Sequence, residues 1–153
     1  MTTLAPDASI TIRPAVDADR PAIEALLTSN DLPMDGVAET LRGFLVAESN
    51  GTIIGTVGME YCGVYGLLRS TAVAAEWRSR GIARRLVERI VAEAEGRGLN
   101  ALYLLTTTAE TYFPTFGFHV TARATVPEPI RQTGEFRGAC PESATVMCLQ
   151  LHR

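Results

Sequence analysis

"WRSRGIARRLVERIVAEAEGRG", Trp77 to Gly98, decides how the rest of the chain is read. Ile82, Ala83, Leu86, Val87, Ile90, Val91 and Ala94 recur every three to four positions, while Arg84, Arg85, Glu88, Arg89 and Glu93 take the opposite side. This is the pattern of an amphipathic helix, stopped by Gly96 and Gly98. "GLLRSTAVA" ahead of it reads as a strand, and "ALYLLTT" behind it as a buried strand. The junction is therefore strand, glycine turn, long helix. Its first helical amides have no intrahelical partner, and the helix dipole adds partial positive charge there, so the place suits a phosphate. Gly81 allows a tight bend and close approach of an anion, and Arg78, Arg80, Arg84 and Arg85 add charge. The same residues also read as a solvated, arginine-rich helix start, and spacing alone leaves both readings open. The pattern is neither G-x-G-x-x-G nor G-x-x-x-x-G-K-[ST], which argues against dinucleotide and P-loop sites.

Working outward, "SITIRPA" alternates as a first strand, and "DADRPAIEALLTSN" reads as a helix capped by Asp17 or Asp19 with Pro21 in its first turn. "DLPMDGVAETLRG" is turn-rich. "FLVAES" and "TIIGTVGMEY" form a hairpin around Asn50-Gly51, and "CGVY" turns the chain into "GLLRSTAVA". "AETYFPTF" reads as a short helix. "FHVTARATV" and "SATVMCLQL" read as two last strands around the loop "PEPIRQTGEFRGACPE". The order predicts an α+β fold: a mostly antiparallel sheet of about seven strands, with the two clear helices on its two faces. One domain over residues 1–153 is expected from the length of 153 residues.

Composition narrows the function. Hydrophobic residues make up 46% and charged residues 20%, as in a globular domain. The net charge of -3 lacks the basic excess that nucleic-acid binding calls for. "MTTLAPDASI" has no basic, apolar signal pattern, and no apolar run is long enough to span a bilayer, so a cytoplasmic, membrane-free setting is expected. Cys62, Cys140 and Cys148 form no CxxC pair and read as reduced thiols; with only His119 and His152 to assist, no metal site is expected.

"RSRGIA" matches the R/Q-x-x-G-x-G/A acyl-CoA loop of the GNAT acetyltransferases, "LLRSTAV" looks like their fourth strand, and "LLTTTAETYFPTFGF" like their fifth strand and following helix. The chain resembles this superfamily over almost its whole length. "LPMDG", "GLLRS", "LLTTTA" and "EFRGACPESATVM" resemble more closely the ArsN-type, arsenic-resistance-associated members. The resemblance implies a GNAT fold and acetyl-CoA-dependent N-acetylation of a small amine. In related proteins that amine belongs to arsinothricin or phosphinothricin, amino acids with an anionic head. It also implies that Arg80, Gly81, Ile82, Ala83 and Arg84, with Arg78 at the loop's start, hold the pyrophosphate. Ala72, Val73 and Ala74 would pair their backbone with the pantetheine amides, strand addition by a ligand, and the thioester would lie between the fourth and fifth strands. A homodimer, formed by the late strands and the "EFRGACPES" loop, is expected at the level of fold analogy.

Acetyl transfer to an amine requires that the ammonium lose a proton, that the developing oxyanion meet donors, and that the thiolate leave. Glu60 is the first candidate base. A regular "CGVY" hairpin would set Gly58 opposite Arg69, with Glu60 diagonal to it; a bulge in the fourth strand, common in the family, would break that register. Glu60 and Arg69 also read simply as an ion pair. An arginine inside an apolar strand is costly unless paired, and its fork suits a carboxylate, phosphinate or arsinate. Arg69, with Ser70, is thus expected to hold the substrate's anionic end, or else to pair structurally with Glu60 or Glu48; Arg131 is a second candidate. Thr106, Thr107 and Thr108 point at the cofactor gap or cap the next turn, and Thr107 is assigned to the cofactor. Cys140 invites an arsenic-binding reading but reads better as a packed loop thiol.

Many GNAT enzymes carry a tyrosine acid four residues before the glycine of Gly117-Phe118. Phe113 stands there, so no hydroxyl occupies the expected place. Tyr112 is the nearby phenol, turned about 100° around a helix, and Phe113 is expected against the sulfur end of the cofactor. Two further readings stay open: a protein or peptide N-acetyltransferase, and a GNAT domain that binds acyl-CoA without catalysis.

Overall fold

The computed structural model describes residues 10–151. Ser9 of the first expected strand, the N-terminal stretch before it, and His152 lie outside the described residues. The elements are β1 (Ile10–Pro14), α1 (Arg20–Ser29), α2 (Val37–Thr40), β2 (Phe44–Ser49), β3 (Thr52–Cys62), β4 (Tyr65–Val73), α3 (Ile82–Gly96), β5 (Ala101–Thr106), β6 (His119–Val120), α4 (Glu128–Arg131) and β7 (Thr145–Gln150). One sheet of seven strands runs in the order β1-β2-β3-β4-β5-β7-β6. β1/β2, β2/β3, β5/β7 and β6/β7 are antiparallel, and β4/β5 is parallel. The expected α+β, mostly antiparallel architecture is therefore present.

Contacts divide the described residues into two compact units, 10–58 with 70–90 and 59–69 with 91–151. In the first, Asn50 (φ 51°) and Gly51 (φ 80°) form the left-handed turn between β2 and β3 that an Asn-Gly pair predicts. The register sets Phe44 beside Gly58, Val46 beside Thr56 and Ala47 beside Gly55. Phe44 and Val46 pack with Ile23, Leu26 and Leu27 of α1. On the other side of β3, a Cβ at Gly55 would meet Leu86 and Ile82 of α3 at 3.2 and 3.3 Å. α1 and α3 thus cover opposite faces here. Gly58 is required by the Phe44 ring, whose atoms would lie 2.5–2.7 Å from any added Cβ. Asp19 does not cap α1 with its side chain; it accepts Val16 N–H at 2.8 Å and ion-pairs with Arg13 at 2.8 Å, which holds its carboxyl below the usual range.

In the second unit, Leu67, Ala101, Tyr103, Val126, Ile130, Val146 and Cys148 form the core. Three expectations are corrected there. The stretch "FHVTARATV" is not a long strand: only His119 and Val120 pair with β7, and Arg123–Thr125 is a 3-10 turn. The Thr125 hydroxyl donates to Ala122 O at 2.8 Å, a local bond that competes with strand pairing. The following loop is not irregular throughout, since it forms α4 and a π-type turn at Glu135–Ala139. The segment after β5 is a 3-10 turn, Phe113–Phe116, rather than a regular helix.

Candidate active site

Between β4 and α3 the chain makes a left-handed turn. Ser79 (φ 65°) and Gly81 (φ 78°) both adopt left-handed backbone, and α3 begins at the next residue. The first intrahelical bond of this start is Arg85 N–H to Gly81 O at 3.1 Å, so the amides of Ile82, Ala83 and Arg84 precede it. A Cβ built at Gly81 would meet nothing within 4 Å, so the concave side of the turn is open. Arg85, one turn into the helix, keeps Nη1 buried without a hydrogen-bond partner, a spare donor on the helix that would take the pyrophosphate. These features fit a diphosphate. The arginines divide the work. Arg78 ties the loop down, donating to Val73 O at 3.2 Å and Asn30 Oδ1 at 2.8 Å. Arg80 lies over the Trp77 ring at 4.8 Å, and Arg84 reaches Glu88 at 3.4 Å on the exposed side. Ala72 and Val73 are buried at the end of β4, and Ala74 N–H donates to Ile54 O at 2.8 Å.

Ser70 departs from strand geometry. It lies inside β4 at φ 60°, a left-handed conformation that a serine adopts at a cost.

The central charged group lies next to it in sequence. Arg69 has a side chain with no exposed surface. Its Nη1 donates to Glu60 Oε1 at 2.8 Å, and its Nε lies 3.6 Å from Glu135 Oε2. Glu60 keeps 14% of its side chain exposed and Glu135 only 5%. The expected Glu60–Arg69 meeting is therefore present. Glu48, the other suggested partner, is instead held by Arg13 at 2.9 Å. Glu135 was not expected. It lies far along the chain, in a loop without periodicity, and no local pattern marks it.

Cys140 stands in the same neighbourhood. Burial, and after it the charge of Glu135, push its thiol up to about 12. It is a protonated thiol at neutral pH, and thiolate is the form that binds soft metals and metalloids. Among the described residues no group of three or more Cys, His, Asp or Glu could hold a metal.

The aromatic segment is a cluster. Phe113 is buried, with its ring 5.9 Å from Phe118. Tyr112 packs edge-on against Phe113 and Phe116 at 5.4 and 5.3 Å. Thr106 Oγ1 accepts Ala109 N–H at 2.9 Å, so this hydroxyl caps the turn; Thr107 is exposed beside it. Arg131 is exposed and pairs with Glu128 at 3.1 Å.

The profile of the Acetyltransferase (GNAT) family matches residues 14–119. An uncharacterized N-acetyltransferase of Chlorobaculum tepidum is 31% identical over 120 residues, 76% of this chain and 77% of its own. An amino-acid acetyltransferase of Neisseria meningitidis is 26% identical and is matched over 99% of this chain, which spans only 36% of that longer protein. Among solved structures, N-acetylglutamate synthase of Neisseria gonorrhoeae, complexed with coenzyme A and N-acetyl-glutamate, superposes with a TM-score of 0.80 at 24% identity, over 94% of this chain and 35% of that one. The ribosomal-protein-S18-alanine N-acetyltransferase of Escherichia coli superposes at 0.73 and 20% identity, over 94% and 95% of the two chains. At such identities the superpositions speak to fold. Family match, fold and loop agree: the chain belongs to the GNAT acetyltransferase family and is an acetyl-CoA-dependent N-acetyltransferase.

Proposed function

We propose that this enzyme acetylates the amino group of a small anionic amino-acid-like molecule, of the arsinothricin or phosphinothricin type, with Glu60 as the base. The observation that carries the reading is the Glu60–Arg69 bond of 2.8 Å. A carboxylate held by a buried guanidinium, with part of its own surface still open, is fixed in place and can receive a proton from an arriving ammonium. The amino-acid acetyltransferase among the relatives and the ArsN-like motifs support an amino-acid acceptor.

Acetyl-CoA, when bound, supplies the activated acetyl group. The amides at Ile82–Arg84 and the open side of Gly81 would hold its diphosphate, with Arg80 and Arg84 adding charge and Arg78 bracing the loop. Ala72–Ala74 would face its pantetheine arm, and Thr107 and Phe113 its reactive end. Glu60 takes one proton from the acceptor ammonium; the freed lone pair forms the C–N bond as the C–S bond breaks, and the proton count closes on released thiol and protonated Glu60. Arg69 with Ser70 is the proposed seat of the acceptor's anionic head on the condition that the head displaces Glu135 from the guanidinium, because the Arg69 side chain has no exposed surface of its own. Arg131, more open, is the second choice. Tyr112, the nearby phenol, is not needed as an acid in this scheme, since the amine's second proton accounts for the released thiol.

A panel of amines tests the reading by free-thiol release from acetyl-CoA. Phosphinothricin and L-glutamate are expected to turn over, and a ribosomal-type N-terminal peptide is not. Turnover of peptides alone would move the assignment to a protein acetyltransferase. Tight acetyl-CoA binding without turnover of any amine would mark a domain that binds without catalysis.

A further inference from the structure

We propose that Asn30, at the C-terminal end of α1, is a positioning residue for acetyl-CoA binding: its side-chain carbonyl anchors Arg78 and so holds the loop at Ser79–Arg84 in the shape that takes the diphosphate. The proposal rests on that loop being the diphosphate site. It does not depend on which amine is the acceptor or which group is the base.

The argument starts from backbone strain. Ser79 lies at φ 65°, in the left-handed region that a serine adopts at a cost, and Gly81 follows at φ 78°. Strain of this kind persists only where neighbouring structure fixes it. The residue just before Ser79 is the anchored one. Arg78 donates from Nε to Val73 O at 3.2 Å and from Nη2 to Asn30 Oδ1 at 2.8 Å. The first bond ties the loop to the end of β4. The second ties it to the end of α1, 48 residues away in sequence. Both donors are engaged by the scaffold, so the side chain of Arg78 braces the turn from two sides.

Asn30 is itself oriented for this bond. Its Nδ2 donates to Leu26 O at 2.8 Å, and its backbone N–H reaches Leu26 O and Leu27 O at 3.1 Å each. The amide nitrogen is thus taken by the open carbonyls of the last helical turn, and Oδ1 is the acceptor that meets Arg78. The reverse amide orientation would set acceptor against acceptor at Leu26 and donor against donor at Arg78. The C-terminal end of α1 also carries partial negative charge, which favours a guanidinium beside it. Capping α1 requires only the bonds to its carbonyls, and Ser29 Oγ already makes one to Leu26 O at 3.0 Å. The further reach from Asn30 Oδ1 to Arg78 is what connects the end of α1 to the loop.

The test is acetyl-CoA affinity, which needs no acceptor. It is read by calorimetry and by the fluorescence of Trp77, the chain's single tryptophan and the neighbour of Arg78. Asn30→Ala is expected to raise the acetyl-CoA Kd by about three- to tenfold. Asn30→Asp keeps an acceptor for Arg78, loses the donor to Leu26 O and adds negative charge at a helix C-terminus. It is expected to lower Tm while the Kd stays near the parent's. Ser29→Ala, which loses a bond to the same carbonyl, is expected to leave the Kd unchanged. In an Arg78→Ala background, adding Asn30→Ala is expected to raise the Kd no further. An Asn30→Ala Kd equal to the parent's overturns the proposal, as does a full additional loss in the Arg78→Ala background. Equal weakening by Ser29→Ala or Asn30→Asp also overturns it, because affinity would then follow the stability of the end of α1. Gly81→Val in the same series separates the two failures. If it weakens binding and Asn30→Ala does not, the positioning role alone falls; if neither does, the loop is not the diphosphate site.

Discussion

Arg69 Nη1 donates to Glu60 Oε1 at 2.8 Å, and the arginine that makes this bond has no solvent-exposed side-chain surface. Arginine is suited to this because it stays charged when buried and its planar fork meets carboxylates from two directions. With Glu135 on its other side, the guanidinium joins β3, β4 and the π-type turn in one charged group.

Removing the guanidinium should be costly. Arg69→Ala leaves two carboxylates facing each other in a poorly hydrated place, and we expect a loss of about 3–5 kcal/mol of stability, read as a fall in denaturant midpoint. Arg69→Lys keeps a charge but not the fork, and should raise KM for an anionic amine more than it changes the acetyl-CoA Kd. Equal effects on both would remove Arg69 from the acceptor site.

The turn at Gly81 has a φ of 78° that disfavours a β-branched residue, although an added Cβ meets nothing within 4 Å. Gly81→Val should therefore weaken acetyl-CoA binding by about tenfold or more through a distorted amide cradle, measured by calorimetry, and lower Tm by a few degrees through the strained backbone. Unchanged affinity would show that the loop amides do not hold the diphosphate.

Tyr112 is packed edge-on against two phenylalanines, in ring contacts that do not require its hydroxyl. Tyr112→Phe should leave kcat within about threefold of the parent, well short of the typical loss on removing a proton-transfer group. A loss of about a hundredfold would restore the phenol as the acid that protonates the sulfur.

The Cys140 thiol holds its proton to about 12 in the folded chain, against 9.0 for an ordinary thiol. The folded state thus binds the proton more tightly than the unfolded state. The stability this contributes is present below pH 9.0 and is lost as pH rises toward about 12. Iodoacetamide at pH 8 should modify Cys140 far more slowly than a free cysteine. Glu135→Gln should speed the reaction, because the second cause of the raised value is the Glu135 charge.

Much of this was legible because local physics agreed with the final fold. The 3.6-residue period of α3, the Asn50-Gly51 turn and the Arg78–Ala83 loop each depend on neighbours in sequence, and each formed as read. The meeting of Glu60 and Arg69 followed from one short hairpin. The stretch after Phe118 misled, because Val120, Ala122, Ala124 and Val126 alternate like a strand while threonine hydroxyls and a 3-10 turn end the pairing after two residues. Glu135 could not be read at all. Its partner is remote in sequence, and nothing in "TGEFRG" says that a charge will be buried. The left-handed Ser70 carries no turn-forming signal in its own neighbouring sequence.

The most direct measurement of the central claim is the pre-steady-state and steady-state rate of thiol release by Glu60→Gln, with phosphinothricin or L-glutamate as acceptor. The substitution keeps the hydrogen-bonding shape toward Arg69 and removes the proton acceptor. We expect kcat to fall by about a hundredfold or more, with the acetyl-CoA Kd unchanged. A Glu60→Gln enzyme that turns over at the parental rate would contradict the account, and would assign proton removal to solvent.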